Sequence, residues 1–147
     1  MMKSSLFTAL LYVLISCQSV YQTAEYSAPE WAEGIVWYQI FPERFADGDP
    51  YNQPNSERAR GPEGWHPTNW TQDWYKRDEW EKNQSSKFYD NVRERRYGGD
   101  LQGVIDRLDY LKELGVGAIY FNPVFDAQSM HKYDATYYHH IDRNFGP

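Results

Sequence analysis

The side chains best suited to chemistry are concentrated in residues 129–142, which read SMHKYDATYYHHID. His131, His139 and His140 could bind a transition metal, but their spacing fits none of the common zinc motifs. A tyrosine ring can instead stack on a sugar while histidine and aspartate bond its hydroxyl groups. A third alternative is a polar loop that only packs against its neighbours. The sequence alone leaves these alternatives open.

A second group consists of oxygen donors at the two ends of one long segment. Asp47, Asp49 and Asn52 stand near its start, and Gly98 and Asp100 stand at its end. Carboxylate, amide and carbonyl oxygens are the ligands of calcium, which takes about six to eight of them. A bound ion would also tie down a connection of roughly fifty residues, whose closure costs entropy. The alternative is that the aspartates form Asx turns and that Asp100 only caps a helix.

Both groups follow predicted β-strands. The nearly continuous apolar run at residues 35–41 predicts a strand buried on both faces, and residues 118–122 predict a second one. Between them, apolar side chains recur every three or four residues over 101–114, which predicts one amphipathic helix with Asp100 as its N-cap and Gly115 as its end. A helical crossover makes the two strands parallel. The loops after both strands then leave the same edge, which is the functional edge of parallel barrels.

Residues 43–96 form an unusually long connection between the first strand and the helix. The segment is polar and rich in glycine and proline, so it is interpreted as an insertion. Five of the aromatic rings in its second part could stack on sugars, although packing of the insertion is the favoured interpretation. These rings are Trp65, Trp70, Trp74, Tyr75 and Trp80.

Composition limits the possible classes of function. In 147 residues the hydrophobic fraction of 41% permits a core. The net charge of −6 argues against nucleic-acid binding, because no basic surface is available to neutralise phosphates. The single cysteine excludes an internal disulfide and a cysteine-based zinc site.

The single cysteine lies at the end of a predicted export signal. Residues 1–17 combine a lysine near the start, a short apolar stretch and a small residue before Cys17. The sequence Leu-Ile-Ser-Cys resembles a bacterial lipobox, so Cys17 is the predicted lipidation site; an ordinary signal peptide is the alternative. Residues 18–33 are interpreted as a tether. The predicted location is the bacterial envelope or cell surface, with a lipid anchor as the only contact with the membrane.

Three segments together resemble the opening of an α-amylase-family glycoside hydrolase, nearest the neopullulanase and cyclomaltodextrinase branch. They are WYQIFPERFADGDPYN, RRYGGDLQGVIDRLDYLKELGVGAIYFNPVF and SMHKYDATYYHHIDRNFG. The resemblance implies an α/β fold, namely the N-terminal part of a (β/α)8 barrel with a long insertion after the first strand. Two parallel strands are too few for a stable sheet, so residues 34–147 are interpreted as the truncated start of the catalytic barrel.

The resemblance also implies two binding sites. His131 and Tyr133 match residues that contact the sugar beside the scissile bond, and Asp134 matches a carboxylate that holds a terminal sugar. Gln53 departs from a further ligand position where relatives often have Asp or Asn, which weakens the expected metal site. The implied calcium ligands are Asp47, Asp49, Asn52, the carbonyl of Gly98, and Asp100.

The implied activity is hydrolysis of α-glucosidic bonds, in α-glucans or maltooligosaccharides, with retention of configuration. The nucleophile and the general acid of this family lie on later strands, so no catalytic residue is assigned here and residues 1–147 alone are expected to be inactive. One alternative is a catalytically silent glucan-binding surface lipoprotein. Another is a transport-associated relative built on the same barrel. Sequence analysis does not indicate an oligomeric state.

Overall fold

The computed structural model describes residues 27–146. The predicted signal peptide, with Cys17, and the first part of the predicted tether lie outside the described residues. The chain divides between Glu33 and Gly34, and the described residues before that boundary contain one turn of 3-10 helix at Glu30–Ala32. Within the described part of the chain, no helix has the length and apolar character needed to cross a membrane.

Two parallel strands follow the boundary at Gly34. Strand β1 spans Val36–Ile40 and strand β2 spans Val116–Phe121, and their parallel pairing confirms the prediction from the crossover. The register places Ile40 beside Phe121, and the N–H of Asn122 donates to the carbonyl of Ile40 at 2.8 Å. The strands therefore end together, and the loops that follow them leave the sheet side by side.

The insertion after β1 contains three short α-helices, α1 (Ser56–Ala59), α2 (Glu79–Gln84) and α3 (Phe88–Asn91), and a 3-10 turn at Val92–Glu94. Trp65 and Trp80 are buried with Ala59 in a small apolar cluster of its own. The packing interpretation is therefore correct for these two tryptophans.

The predicted crossover helix is present but interrupted. Helix α4 spans Leu101–Asp106 and helix α5 spans Leu108–Glu113. Between them, the N–H of Arg107 donates to the carbonyl of Val104, three residues earlier, at 3.0 Å. A bond over three residues tightens the backbone into a 3-10 turn, so the prediction of one continuous helix over 101–114 is wrong at this point.

The helix packs on the sheet along a narrower face than predicted. Ile105 and Leu114, expected on the buried face, are 57% and 53% exposed. The strands are also not buried on both faces, since Val36 and Tyr120 are each more than half exposed. The physical reason is that α4 and α5 supply a single layer, whereas a parallel sheet needs cover on both faces. The buried cluster consists of Ile40, Val104 and Leu111, with Tyr38, Phe45, Val116 and Ile119 packed against it.

The second half of the predicted loop is a β-strand. Strand β4 spans Tyr137–Ile141 and pairs antiparallel with the two-residue strand β3, Phe125–Asp126. The N–H groups of Thr136 and Asp142 donate to the carbonyls of Asp126 and Val124, each at 2.8 Å. Residues 127–136 are thus the connection of a hairpin, which restricts where the side chains of this connection can point.

Candidate functional site

The turn formed by residues 47–53, here called the oxygen-rich turn, is held against the start of α4 by Asp100. The Asp100 carboxylate is fully buried. Its Oδ1 accepts hydrogen bonds from the N–H groups of Gly48 at 3.0 Å and Gly103 at 2.6 Å. Its Oδ2 accepts from the N–H of Asp49 at 2.9 Å and from the side-chain amide of Asn52 at 2.8 Å. Asp100 therefore caps the helix and also joins the two ends of the insertion.

The remaining candidate calcium ligands lie beside this carboxylate. Asp49 Oδ1 accepts from the N–H of Tyr51 at 2.9 Å, which is the Asx turn considered as an alternative. The side chain of Gln53 lies beside Asp47, and its amide nitrogen is buried without a hydrogen-bond partner among the described residues. Gln53 in turn lies across Gly98, because a Cβ added to that glycine would come within 2.2 Å of Gln53 Oε1. All of the candidate ligands therefore belong to one cluster of neighbouring residues.

This cluster carries an excess of negative charge. Partial burial, followed by the negative charges of Asp100 and Asp49, raises the pKa of Asp47 even though its side chain is exposed on the surface. A raised pKa means that the ionised form of Asp47 is disfavoured in this environment. A cation bound among these oxygens would reverse that preference.

One buried oxygen atom in the turn is suited to bind a cation. Asn52 Oδ1 is buried and has no hydrogen-bond partner among the described residues, whereas its amide nitrogen donates to Asp100. The amide cannot be turned round, because its oxygen would then face the Asp100 carboxylate. An unpartnered buried acceptor costs about 1 to 3 kcal/mol, and calcium readily takes amide oxygens. The donor set therefore fits calcium, although both oxygens of Asp100 already accept N–H groups.

Sequence analysis missed Glu43, which supports the Gly98 end of the cluster. Glu43 is buried and accepts from the N–H groups of Tyr97 and Gly98, the latter at 3.3 Å, and from Nε of Arg44 at 2.7 Å. Burial raises the pKa of the Glu43 carboxyl, while the charge of Arg44 opposes that rise. The position of Glu43 directly after a strand and a proline was the available signal, but nothing in the sequence indicated burial.

The three predicted sugar-contacting residues share the hairpin connection, and all three side chains are exposed. The ring centroids of His131 and Tyr133 lie 5.8 Å apart, and Tyr133 is 64% exposed. The N–H of Tyr133 donates to Nδ1 of His131 at 3.2 Å. The two rings thus form an accessible pair with adjoining polar atoms.

Ser129 fixes the carboxylate of Asp134 beside these rings. Its hydroxyl donates to Asp134 Oδ1, and its N–H donates to Oδ2 at 3.3 Å. The hydroxyl is the largest cause that holds the pKa of Asp134 below its usual range. Asp134 is therefore an ionised hydrogen-bond acceptor at neutral pH.

The structure does not bring the histidines together as a metal site. His139 and His140 lie on β4, where both rings contact the ring of Tyr137, and His131 lies in the connection. Within residues 27–146, no three side chains of the His, Cys, Asp or Glu types are placed to hold a metal ion. A calcium site in the oxygen-rich turn would have to use amide and carbonyl oxygens as well.

One hydrogen bond connects the end of the hairpin with the oxygen-rich turn, and a second connects it with the start of α4. Asn144, just after β4, donates from its side-chain amide to the carbonyl of Asn52 at 2.6 Å. The N–H of Leu101 donates to the carbonyl of Phe145 at 3.0 Å. The candidate sugar site and the candidate calcium site are therefore parts of one hydrogen-bonded region.

Comparison with known proteins identifies the family. The model of the alpha-amylase catalytic domain matches residues 39–147. The maltogenic alpha-amylase of Bacillus acidopullulyticus and neopullulanase 2 of Thermoactinomyces vulgaris are each 44% identical over 127 residues, which is 86% of this chain and 17% of each relative. A cyclomaltodextrinase of Geobacillus thermopakistaniensis is 42% identical over 82% of this chain and 16% of its own length. The chain thus spans about a sixth of the length of these relatives.

Solved structures give the same family and the architecture. The cyclic alpha-maltosyl-(1→6)-maltose hydrolase of Arthrobacter globiformis matches with a TM-score of 0.54 and 37% identity, over 80% of this chain and 21% of that one. The type III pullulan hydrolase of Thermococcus kodakarensis matches with a TM-score of 0.58 and 31% identity, over 79% and 19%. Both are (β/α)8 barrel enzymes, and β1, α4, α5 and β2 correspond to part of such a barrel. The chain belongs to the alpha-amylase family of glycoside hydrolases and carries part of its catalytic domain.

Proposed function

We propose that the full-length protein hydrolyses α-glucosidic bonds in α-glucans or maltooligosaccharides, with retention of configuration. The observation that carries the proposal is the exposed pair of His131 and Tyr133, which follows the C-terminal end of β2. The names of the relatives, which include maltogenic amylase, cyclomaltodextrinase and neopullulanase, support the same substrate class.

Each side chain of the pair has a simple task in this reaction. The exposed face of Tyr133 packs on the apolar face of a glucose ring, and His131 offers an N–H or a ring nitrogen to a sugar hydroxyl. Asp134 is ionised and accepts hydrogen bonds from hydroxyls of a neighbouring sugar. These contacts orient the bond to be cleaved, and orientation is a large part of catalysis. The nucleophile and the general acid are supplied by other parts of the barrel.

Calcium is the proposed cofactor of the oxygen-rich turn. The ion would be held by Asp47, Asp49, Asn52, the carbonyl of Gly98, and Asp100. Calcium supplies charge neutralisation and a structural cross-link when it is bound. The residues themselves support this assignment through the unpartnered Asn52 Oδ1 and the clustered negative charge. Gln53 contributes a neutral side chain where a carboxylate would bind more strongly.

Replacement of Tyr133 tests the proposed activity. In the full-length protein, Tyr133→Ala should lower kcat/KM for maltooligosaccharides by about 10-fold to 100-fold, because the sugar loses its stacking partner and its orientation. Tyr89→Ala removes a ring that is 75% exposed on α3 and serves as the matched control. Steady-state kinetics with reducing-sugar detection measures both. Glucan binding without any hydrolysis by the wild type would instead support a catalytically silent binding protein.

We also propose that the mature protein begins at a lipid-modified Cys17 and is held in the envelope by that anchor. The support is the sequence Leu-Ile-Ser-Cys after a short apolar stretch. Mass spectrometry of the protein expressed in a bacterial host should find a diacylglyceryl group on an N-terminal Cys17. An unmodified N-terminus cleaved at another residue contradicts the anchor but leaves the proposed enzymatic activity untouched.

A further inference from the structure

A buried charge separates the two exposed rings of the hairpin connection. Lys132 is only 5% exposed, whereas His131 and Tyr133 on either side of it are exposed. The backbone of Lys132 has φ of +60°, a left-handed conformation that a lysine adopts at a cost. A buried lysine in a strained backbone conformation between two exposed rings calls for a structural explanation.

The ammonium group of Lys132 is bound at the base of the hairpin. Nζ lies 2.6 Å from Asp142 Oδ2 and donates to the carbonyl of Ala127 at 2.9 Å. It also lies 5.3 Å from the centre of the Phe145 ring. Asp142 is itself 2% exposed. The tip of the connection is thereby fixed to its first residue, Ala127, and to Asp142, which follows β4.

The Asp142 carboxylate is further tied to the backbone. Its Oδ2 accepts from the N–H of Ala127 at 3.3 Å, and its Oδ1 accepts from the N–H of Asn144 at 2.9 Å. The acceptor that holds Lys132 is therefore rigid. The same tip carries the bond from the N–H of Lys132 to the Ser129 hydroxyl at 3.1 Å.

We propose that Lys132, anchored by Asp142, is a positioning residue that sets the orientation of His131 and Tyr133 towards the sugar. The inference rests on the proposed function for the role of the two rings, but it assigns the orienting device to a residue that does not touch the sugar. Burying an ion pair is costly in desolvation, and well-packed apolar residues often stabilise a fold equally well. An ion pair does, however, define one distance and one direction, and here it defines the backbone turn from which both rings project.

The test is a double-mutant cycle in the full-length protein. Lys132→Met keeps the length of the side chain and removes its charge, and Lys112→Met, at an exposed lysine of α5, is the control. If Lys132 acts through the rings, Lys132→Met should lower kcat/KM by about 10-fold or more. In the Tyr133→Ala background the same change should cost a clearly smaller factor than in the wild type, because only His131 is left to position.

Folding is measured alongside the kinetics by circular dichroism and thermal melting. If Lys132→Met does not fold, the pair Lys132→Gly with Asp142→Asn takes its place in the cycle. Glycine accepts the left-handed backbone, and the asparagine leaves no unpaired buried charge.

The outcomes separate the inference from the proposed function. Normal kinetics for Lys132→Met beside an impaired Tyr133→Ala overturn the positioning role alone. Losses that multiply in full in the double mutant also overturn it, because they show that Lys132 acts independently of Tyr133. Normal kinetics for Tyr133→Ala overturn the proposed function and the inference together.

Discussion

Among the groups that hold the pKa of Asp134 below its usual range, one neighbouring hydroxyl has the largest effect. The Ser129 hydroxyl donates to the ionised carboxylate and is the largest cause that lowers the pKa of Asp134. A hydrogen bond that favours the ionised form stabilises the folded protein above the ordinary pKa of an aspartate. That stabilisation is lost as the pH falls through the lowered pKa.

Replacement of Ser129 should therefore shift this titration. Ser129→Ala is expected to raise the pKa of Asp134 towards the ordinary value of about 3.9. The part of its effect on stability that comes from the Asp134 charge should be greatest near neutral pH and should vanish in acid. Carboxyl-detected NMR titration of the full-length protein measures the pKa, with Ser86→Ala at an exposed serine as the control. An unchanged titration of Asp134 in Ser129→Ala would show that the hydroxyl does not set its charge.

Sequence reasoning failed at single residues whose burial depends on distant partners. Glu43 and Lys132 are charged, and charged residues are normally exposed. Glu43 is buried because it meets N–H groups at Tyr97 and Gly98, and Lys132 is buried because it meets Asp142. Those partners lie 54, 55 and 10 residues away in the chain, beyond the range of any local pattern.

At the scale of elements, local sequence patterns predicted the pairing of strands and the ends of the helical region correctly. They predicted the burial of side chains less well. The apolar runs and the crossover predicted β1 and β2 as parallel, and Asp100 and Gly115 end the helical region as expected from capping. The exposure of Ile105 and Leu114 was not predictable, because periodicity shows which face of a helix is apolar but not whether another element covers that face. The hairpin was missed because residues 137–141, YYHHI, lack a clear alternation of apolar and polar side chains.

The insertion is organised around a buried ion pair. Arg95 and Glu81 are both fully buried, and Nε and a terminal nitrogen of Arg95 each lie 2.8 Å from one oxygen of Glu81. Arg95 also donates to the carbonyls of Trp74 and Lys76, each at 2.8 Å. One guanidinium thus ties α2 to the preceding aromatic segment, which is why the insertion can be ordered with little regular structure.

Breaking this pair from one side should damage the insertion. Glu81→Ala leaves Arg95 buried without a counter-charge, so it should lower the free energy of unfolding by about 3 to 5 kcal/mol. Part of that loss comes from the N–H of Asp78, which donates to Glu81 at 2.8 Å in the capping box of α2. Glu79→Ala removes only an exposed bridge to Lys82 on the same helix and should change stability little.

Denaturant unfolding followed by tryptophan fluorescence measures both variants. The double variant Glu81→Leu with Arg95→Met separates charge from packing, since removing both charges should restore part of the lost stability. If Glu81→Ala unfolds at the same denaturant concentration as the wild type, the ion pair does not organise the insertion.

At the scale of the whole molecule, one region joins the barrel strands, the insertion and the hairpin. Asp100 holds the oxygen-rich turn, and Asn144 holds that turn to the end of the hairpin. A calcium ion in this region would connect segments that are about fifty residues apart in sequence, and its effect should extend beyond its own ligands.

Calcium should therefore stabilise the full-length protein as a whole. An ion that binds only the folded state adds about 2.7 kcal/mol when its free concentration is 100 times Kd. Thermal melting in calcium should give a higher Tm than melting in chelator, and elemental analysis should find the ion in the purified protein. Asp109→Asn, at an exposed aspartate of α5, is the control and should keep the full difference.

Replacing Asn52 and replacing Gln53 should change the effect of calcium on Tm in opposite directions. Asn52→Ala removes the amide bond to Asp100 under both conditions. It also removes the unpartnered Oδ1, which is an unsatisfied atom in chelator but a ligand in calcium. The difference in Tm between calcium and chelator should therefore shrink. Gln53→Asp adds a carboxylate beside Gly98, so it should lower Tm in chelator through charge repulsion and raise the gain from calcium. Equal responses to calcium in the wild type, Asn52→Ala and Gln53→Asp would place any bound ion elsewhere, because neither side chain could then be contributing to its affinity.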